Sequence, residues 1–161
     1  MSENKSMISA EGLEALKQNL KDAIEDRRKA VVAVAEGREH GDLKENAEYQ
    51  TAREWQNEAD ARIKHYTNAV NSSKIVTLSN LEDDGVIRFG SKITLKILTD
   101  NDKVLKFHIL GEYESNIEKG KLSVASVLAK NLLGKIIGDI VEIKLPRTLH
   151  EYEVCEVQNK Y

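Results

Sequence analysis

HGDLKENAE, running from His40 to Glu48, decides how the first half of the chain is read. It interrupts two long apolar patterns of helical period. On its N-terminal side, Ser9 followed by Ala10, Glu11 and Gly12 offers an N-cap start. Apolar residues then recur at Leu13, Leu16, Leu20, Ile24, Val31, Val34 and Ala35. On its C-terminal side the pattern resumes at Leu43, Ala47, Ala52, Trp55, Ala59, Ile63, Tyr66 and Val70. Steps of three and four put each set on one helical face, flanked by charged residues. No proline falls within residues 9–74. The spacing predicts two helices of about thirty residues, each roughly 45 Å long. Joined by the short His40–Gly41 break, they should lie antiparallel and bury their stripes against each other as a coiled-coil hairpin. Two carboxylates, Asp42 and Glu45, then fall at its bend.

The second half has a different period. Residues 75–90 mix Ser, Asn, Asp and Gly with short apolar runs and read as a linker into a second domain. Ile93, Leu95 and Ile97 alternate with Lys92, Thr94 and Lys96. After a turn at Asp100–Lys103, Leu105, Phe107 and Ile109 alternate with Lys106 and His108, which completes a β-hairpin. A short helix is expected at about Ala125–Leu133, ended by Gly134. Two further strands follow, the first through Val141, Ile143 and Leu145 and the second through Tyr152 and Val154, with Pro146 opening the loop between them. The fold class expected is α+β: a helical hairpin over residues 1–75, then an antiparallel sheet with one helix over residues 76–161.

Composition excludes several functions. Of the 161 residues, 40% are hydrophobic and 32% charged, a balance suited to a soluble globular chain. No window approaches eighteen apolar residues, so no membrane span is expected, and the N-terminus lacks the apolar core of a signal peptide. The single cysteine, Cys155, cannot form an internal disulfide, which points to a reducing cytoplasm. The net charge of −3 is spread evenly over both halves, so strong autonomous binding to duplex DNA is not expected.

HGDLKENAEY, preceded by AVAEGRE and followed by QTARE, resembles the tip signature of the Gre family of bacterial transcript-cleavage factors, in particular the GreA type. GKLSVASVLAKNLLGKIIGDIVEIKLP resembles the same family's C-terminal motif, and the similarity runs from about Ile8 to Val157. The resemblance implies an FKBP-like C-terminal domain that docks on bacterial RNA polymerase. It implies a hairpin that enters the polymerase secondary channel, reaches the active site and stimulates hydrolysis of backtracked RNA. Two departures stand out: Ser126-Val127 replaces a usual Ser-Pro, and Ala30 or Val31 stands where the first helix commonly has proline. The first removes a residue that pre-sets a helix start, and the second leaves the first helix more regular.

Two-metal phosphodiester hydrolysis needs ions clamped near the attacking and leaving oxygens. Mg²⁺ is commonly held by one or two carboxylates, with water and substrate phosphates completing its shell. Asp42 and Glu45, three residues apart at a helix start, suit that part as catalytic and metal-ligating groups. Alone they are too few for tight binding, and the helix dipole disfavours a lone cation there. The expected Mg²⁺ is therefore one shared with the polymerase active site, with none held tightly by the free protein. Asp42-Leu-Lys-Glu45 is also a capping-box pattern, and both readings stand. Arg53, which matches a basic position of the family signature, is a candidate contact to the phosphates of the nascent RNA 3′ end, with Arg38 and Lys44 behind it.

Glu48 reads as a solvated charge, and Trp55, Ile63 and Tyr66 as packing residues. Tyr49 falls off the best stripe. His40, His65, His108 and His150 are scattered, without zinc-ligand spacing. Too few aromatics are present for a prolyl isomerase pocket, so the C-terminal domain is expected to dock rather than catalyse. Two alternatives remain: a Gre-like inhibitor that blocks the channel, against which the intact Asp42/Glu45 pair argues, and a coiled-coil adaptor or chaperone, for which tip substitutions would leave RNA cleavage untouched.

Overall fold

The structure is a computed structural model, and residues 7–39 and 47–160 are described. The elements run β1 (Met7–Ile8), α1 (Ala10–Glu39), α2 (Ala47–Ser72), β2 (Lys74–Ile75), β3 (Lys92–Ile97), β4 (Lys103–Leu110), β5 (Lys121–Ser123), α3 (Val127–Leu132), β6 (Ile140–Lys144) and β7 (Leu149–Gln158). They group into two compact units, Leu13–Ser72 and, as the second, the chain up to Gly12 together with everything from Ser73 onward. The sequence reading drew one boundary, after residue 75; the parallel pairing of β1 with β2 brings the start of the chain to the second unit.

In the first unit, α1 and α2 are antiparallel. Arg27 pairs with Asp60 at 2.6 Å and Arg62 with Asp26 at 2.5 Å, so residue numbers rise on one helix as they fall on the other. All four side chains are roughly half exposed, and each such pair contributes about 0.2–1 kcal/mol. The seam between the helices repeats every seven residues and is mostly of small ones. Leu16, Ala23, Ala30 and Gly37 are buried on α1, and Ala52 and Ala59 on α2, with Tyr66 half-buried one heptad on. A seven-residue repeat keeps one seam facing the partner. Small side chains in it let the backbones approach closely: a Cβ added at Gly37 would lie 2.9 Å from Tyr49 Cα.

That seam corrects the expected stripe of α1. Leu16 and Val34 are buried as expected, but Ile24 is 52% exposed, Val31 is 40% exposed and Ala35 is also exposed. The stripe of bulky residues and the stripe of small ones sit side by side on the helix. The close seam takes Ala23 and Ala30 and leaves their larger neighbours outside.

In the second unit, five strands form one sheet in the order β5-β4-β3-β7-β6. All pairings are antiparallel except β4 with β5. The β3–β4 turn places Asn101 and Asp102 in the left-handed region, at φ 50° and 54°, where short polar side chains are tolerated. The pairing of β3 with β7 shifts register between Thr94 and Leu95. Ile93, Leu95, Ile109, Val141 and Val154 point from the sheet into a core closed by Ala129 and Leu132 of α3 and by Ile87 and Phe89 of the preceding segment. The α3 helix begins one residue after Ser126, whose hydroxyl accepts from Ala129 N at 3.2 Å. Leu145, expected in a strand, follows β6 and enters a turn in which its N–H donates to Thr148 O at 2.8 Å. The parallel strands β1, β2 and β5 were not foreseen, since two or three residues carry no periodicity.

A buried polar cluster ties the segment before β3 to the end of β7. Ser91 is 0% exposed and Asn159 is 1% exposed. The Ser91 hydroxyl donates to Asn159 Oδ1 and accepts from Arg88 N at 2.9 Å, and Asn159 Nδ2 donates to Val86 O at 2.9 Å. The Ser91 and Asn159 side chains thereby have partners, as a low-dielectric interior requires.

Candidate functional site: the end of the helical hairpin

The candidate acids belong to the seven residues that join α1 to α2. α1 ends at Glu39 and α2 begins at Ala47. Asp42, Glu45, Lys44 and His40 all fall between them, outside the described residues. The described helix ends flank this segment in sequence.

Arg38 stands in the last turn of α1, where a cation is favoured by the helix dipole. Its guanidinium lies 5.9 Å from the centroid of the Tyr49 ring on α2, within cation–π range. Tyr49 thus has a packing role that its place off the main stripe concealed. Glu48 is exposed in the first turn of α2, on the favourable side of that helix's dipole. Arg53 is exposed one turn beyond Tyr49. Arg38 thus stands in the last turn of α1, and Glu48 and Arg53 lie in the first two turns of α2.

Along the shaft, several carboxylates are paired within the hairpin. Asp26 and Asp60 are paired across the helices, and Glu25 is paired with Arg28 at 2.8 Å. The hydrogen bond from Arg28 holds the Glu25 carboxyl below its ordinary range. Among the described residues, no group of three or more His, Cys, Asp or Glu side chains is placed to hold a metal ion. His65 lies on α2, His108 on β4 and His150 on β7, so nothing gathers them.

In the second unit, an apolar hollow of about 330 Å³ is lined by Met7, Val76, Leu81, Ile87, Phe89 and Leu133, with the stem of Arg88. Phe89 is its one aromatic wall residue. The residue that sequence reasoning passed over altogether is Glu114, which reaches the start of α1 through Ser9.

Two family comparisons match the chain, one to each half. Residues 6–75 match the family described as Transcription elongation factor, N-terminal, and residues 68–159 match Transcription elongation factor, GreA/GreB, C-term. The chain belongs to the GreA/GreB family of transcription elongation factors. Among curated Gre proteins, it is 41% identical over 152 residues to Transcription elongation factor GreA of Rickettsia bellii, covering 94% of this chain and 93% of the relative. It is 42% identical over 154 residues to GreA of Rickettsia prowazekii (95% and 94%) and 40% identical over 152 residues to GreA of Ruegeria pomeroyi (94% and 96%). Among solved structures, the GreA factor homolog Gfh1 of Thermus thermophilus aligns with a TM-score of 0.45 at 24% identity, over 96% of this chain and 99% of that one. The resemblance read from HGDLKENAEY and from the C-terminal motif thus holds over nearly the whole chain, and this Gre-family chain is a transcription elongation factor. No helix among its described residues is long and apolar enough to cross a membrane.

Proposed function

We propose that this elongation factor works in the cytoplasm on bacterial RNA polymerase, entering by the secondary channel, and stimulates the polymerase's own hydrolysis of backtracked RNA. The observation that carries the reading is the hairpin itself. Helices of 30 and 26 residues are joined by one seven-residue segment, and that segment contains both Asp42 and Glu45. At 1.5 Å per residue the helices are roughly 45 and 39 Å long.

The donor set suits a hard cation. Two carboxylate side chains favour Mg²⁺ over softer metals, and they leave most of its shell to other ligands. A Mg²⁺ shared with the polymerase would stabilise charge on the attacked phosphate and lower the pKa of a bound water. Asp42 and Glu45 contribute oxygen ligands to that shared site. Arg53, with Arg38 and Lys44, offers cations to the phosphates of the RNA 3′ segment. The factor is then not an enzyme by itself, and the sheet unit serves as the docking domain.

The test is a stalled, backtracked transcription complex carrying labelled RNA. Added factor with Mg²⁺ should shorten the transcript. The Asp42→Ala/Glu45→Ala double variant should bind the complex as well as the wild type yet leave the transcript intact. Shortening by the double variant would remove the acids from the mechanism. Binding of the wild type without shortening would turn the reading into that of a channel-blocking inhibitor.

A further inference from the structure

The start of α1 lacks the glutamate that a capping box would place there. Ser9 is the N-cap residue, and its hydroxyl accepts from Gly12 N at 3.0 Å, the bond expected between an N-cap serine and the third helical residue. In a capping box that third residue is Glu or Gln, and its side chain returns to the N-cap N–H. Here it is glycine. The returning carboxylate comes instead from Glu114, 105 residues later in sequence: Ser9 N donates to Glu114 Oε2 at 2.8 Å and the Ser9 hydroxyl to Glu114 Oε1 at 2.5 Å.

Glycine at residue 12 follows from that arrangement. A Cβ there would lie 2.3 Å from Glu114 Oε1, in the space the carboxylate occupies. Gly111 is constrained in the same way. Its N–H donates to Glu114 Oε2 at 3.1 Å, and a Cβ on it would lie 2.2 Å from Met7 O, the backbone just before the cap. Ser9 is 5% exposed, so these bonds are largely sheltered from water. Three donors converge on one carboxylate, which makes the contact charge-assisted and specific in geometry.

We propose that Glu114 is a positioning residue for transcript cleavage: it completes the capping box at the start of α1, whose first residues belong to the same unit as Glu114, and so holds the first turn of the helix that leads on to Asp42. The inference rests on the cleavage-factor reading above. Loss of Glu114 loosens the first turn of α1, so the bound factor presents its acids less often.

The experiment separates clamping from capping. Full-length wild type, Glu114→Ala, Glu114→Gln and Glu114→Ala/Gly12→Glu are titrated against the same backtracked complex, with polymerase affinity and maximal cleavage rate measured separately. The fourth variant rebuilds a capping box within α1 but not the link to residue 114. Hydrogen exchange of the Ser9 and Gly12 amides in each free protein reports the clamp without polymerase.

Glu114→Ala should keep wild-type affinity within about twofold while its maximal rate falls roughly five- to tenfold, the size expected for a lost cap contact. Glu114→Gln should lose less. The double variant should regain protection at the Ser9 amide and remain slow. A wild-type maximal rate for Glu114→Ala, or recovery of the rate by the double variant, would overturn the proposal. So would unchanged exchange at Ser9 and Gly12 in Glu114→Ala, which decides the matter even if the wild type fails to stimulate cleavage. That last failure alone would count against the cleavage-factor reading.

Discussion

Replacing Ala30 by leucine should destabilise the hairpin, although it adds apolar surface to an apolar stripe. Ala30 is 0% exposed in a seam whose other α1 members are Leu16, Ala23 and Gly37. A leucine there has no room in a close-packed interior, and overpacking of this kind costs about 1–3 kcal/mol. Its neighbour Val31 gives the contrast. Val31→Ala removes two methyl groups, worth about 1.6 kcal/mol if fully buried, but the side chain is 40% exposed and so loses only about 1 kcal/mol. Alanine's better helix propensity returns about 0.6 kcal/mol, which leaves a net change within about 0.5 kcal/mol. The chain's single tryptophan, Trp55, lies half-buried on α2, so a urea titration followed by its fluorescence reads this unit selectively. A loss of about 2 kcal/mol at residue 30 corresponds to a melting point lower by roughly 10 °C for a unit of this size. If Ala30→Leu were neutral or stabilising while Val31→Ala cost 2 kcal/mol or more, the bulky stripe would be the true seam and the packing described above would be wrong.

Asn159→Ala should lower the stability of the sheet unit by about 2–3 kcal/mol, because Val86 O loses its donor and the Ser91 hydroxyl its acceptor inside the core. A double-mutant cycle with Ser91→Ala, read by hydrogen exchange along β3, should show coupling; simple additivity would mean the cluster is not one network. Burial, and then the nearby Lys92, push the His108 imidazole below its ordinary value of 6.5. A group whose folded pKa is depressed takes up a proton more readily when unfolded, so stability should be complete above about pH 6.5 and fall as the pH drops below it. His108→Gln should flatten that dependence between pH 7 and 5.5, and an unchanged slope would assign it to other groups. The outcome for Asp42→Ala/Glu45→Ala, binding without cleavage, completes the set.

What was legible in the sequence depended on run length. Thirty residues of helical spacing fixed α1 and its partner, and strict alternation at Ile93, Leu95 and Ile97 fixed β3. Strands of two or three residues, such as β1 at Met7–Ile8, carry no period and exist because another segment pairs with them. The seam was misread in part for a different reason. Ala23 and Ala30 sit beside Ile24 and Val31, one position around the helix, and hydrophobicity alone favours the larger residue. Only the separation of the helices decides between them. Glu114 was invisible because the geometry that recruits it spans 105 residues, although one local sign was present: a glycine stands where a capping box has its glutamate.

The distribution of charge in the hairpin bears on which residues are free to meet a partner. Asp26 and Asp60 are held across the seam by Arg62 and Arg27, and Glu25 is held by Arg28 on its own helix. A carboxylate already accepting a guanidinium has fewer lone pairs to offer a second cation and has a positively charged group beside it that repels one. These shaft acids are therefore poorly suited to a shared metal site even where they are exposed. The HGDLKENAE segment stands apart from them by position, between the end of α1 and the first turns of α2. Selection for a metal-ligating role would act on that junction and leave the shaft free to vary, provided Glu25, Asp26 and Asp60 keep their basic partners. Exchanging Asp60 and Arg27 should accordingly leave transcript cleavage near wild type, because the pair is restored in reverse. A loss comparable to that of the Asp42/Glu45 variant would show that the shaft takes part directly.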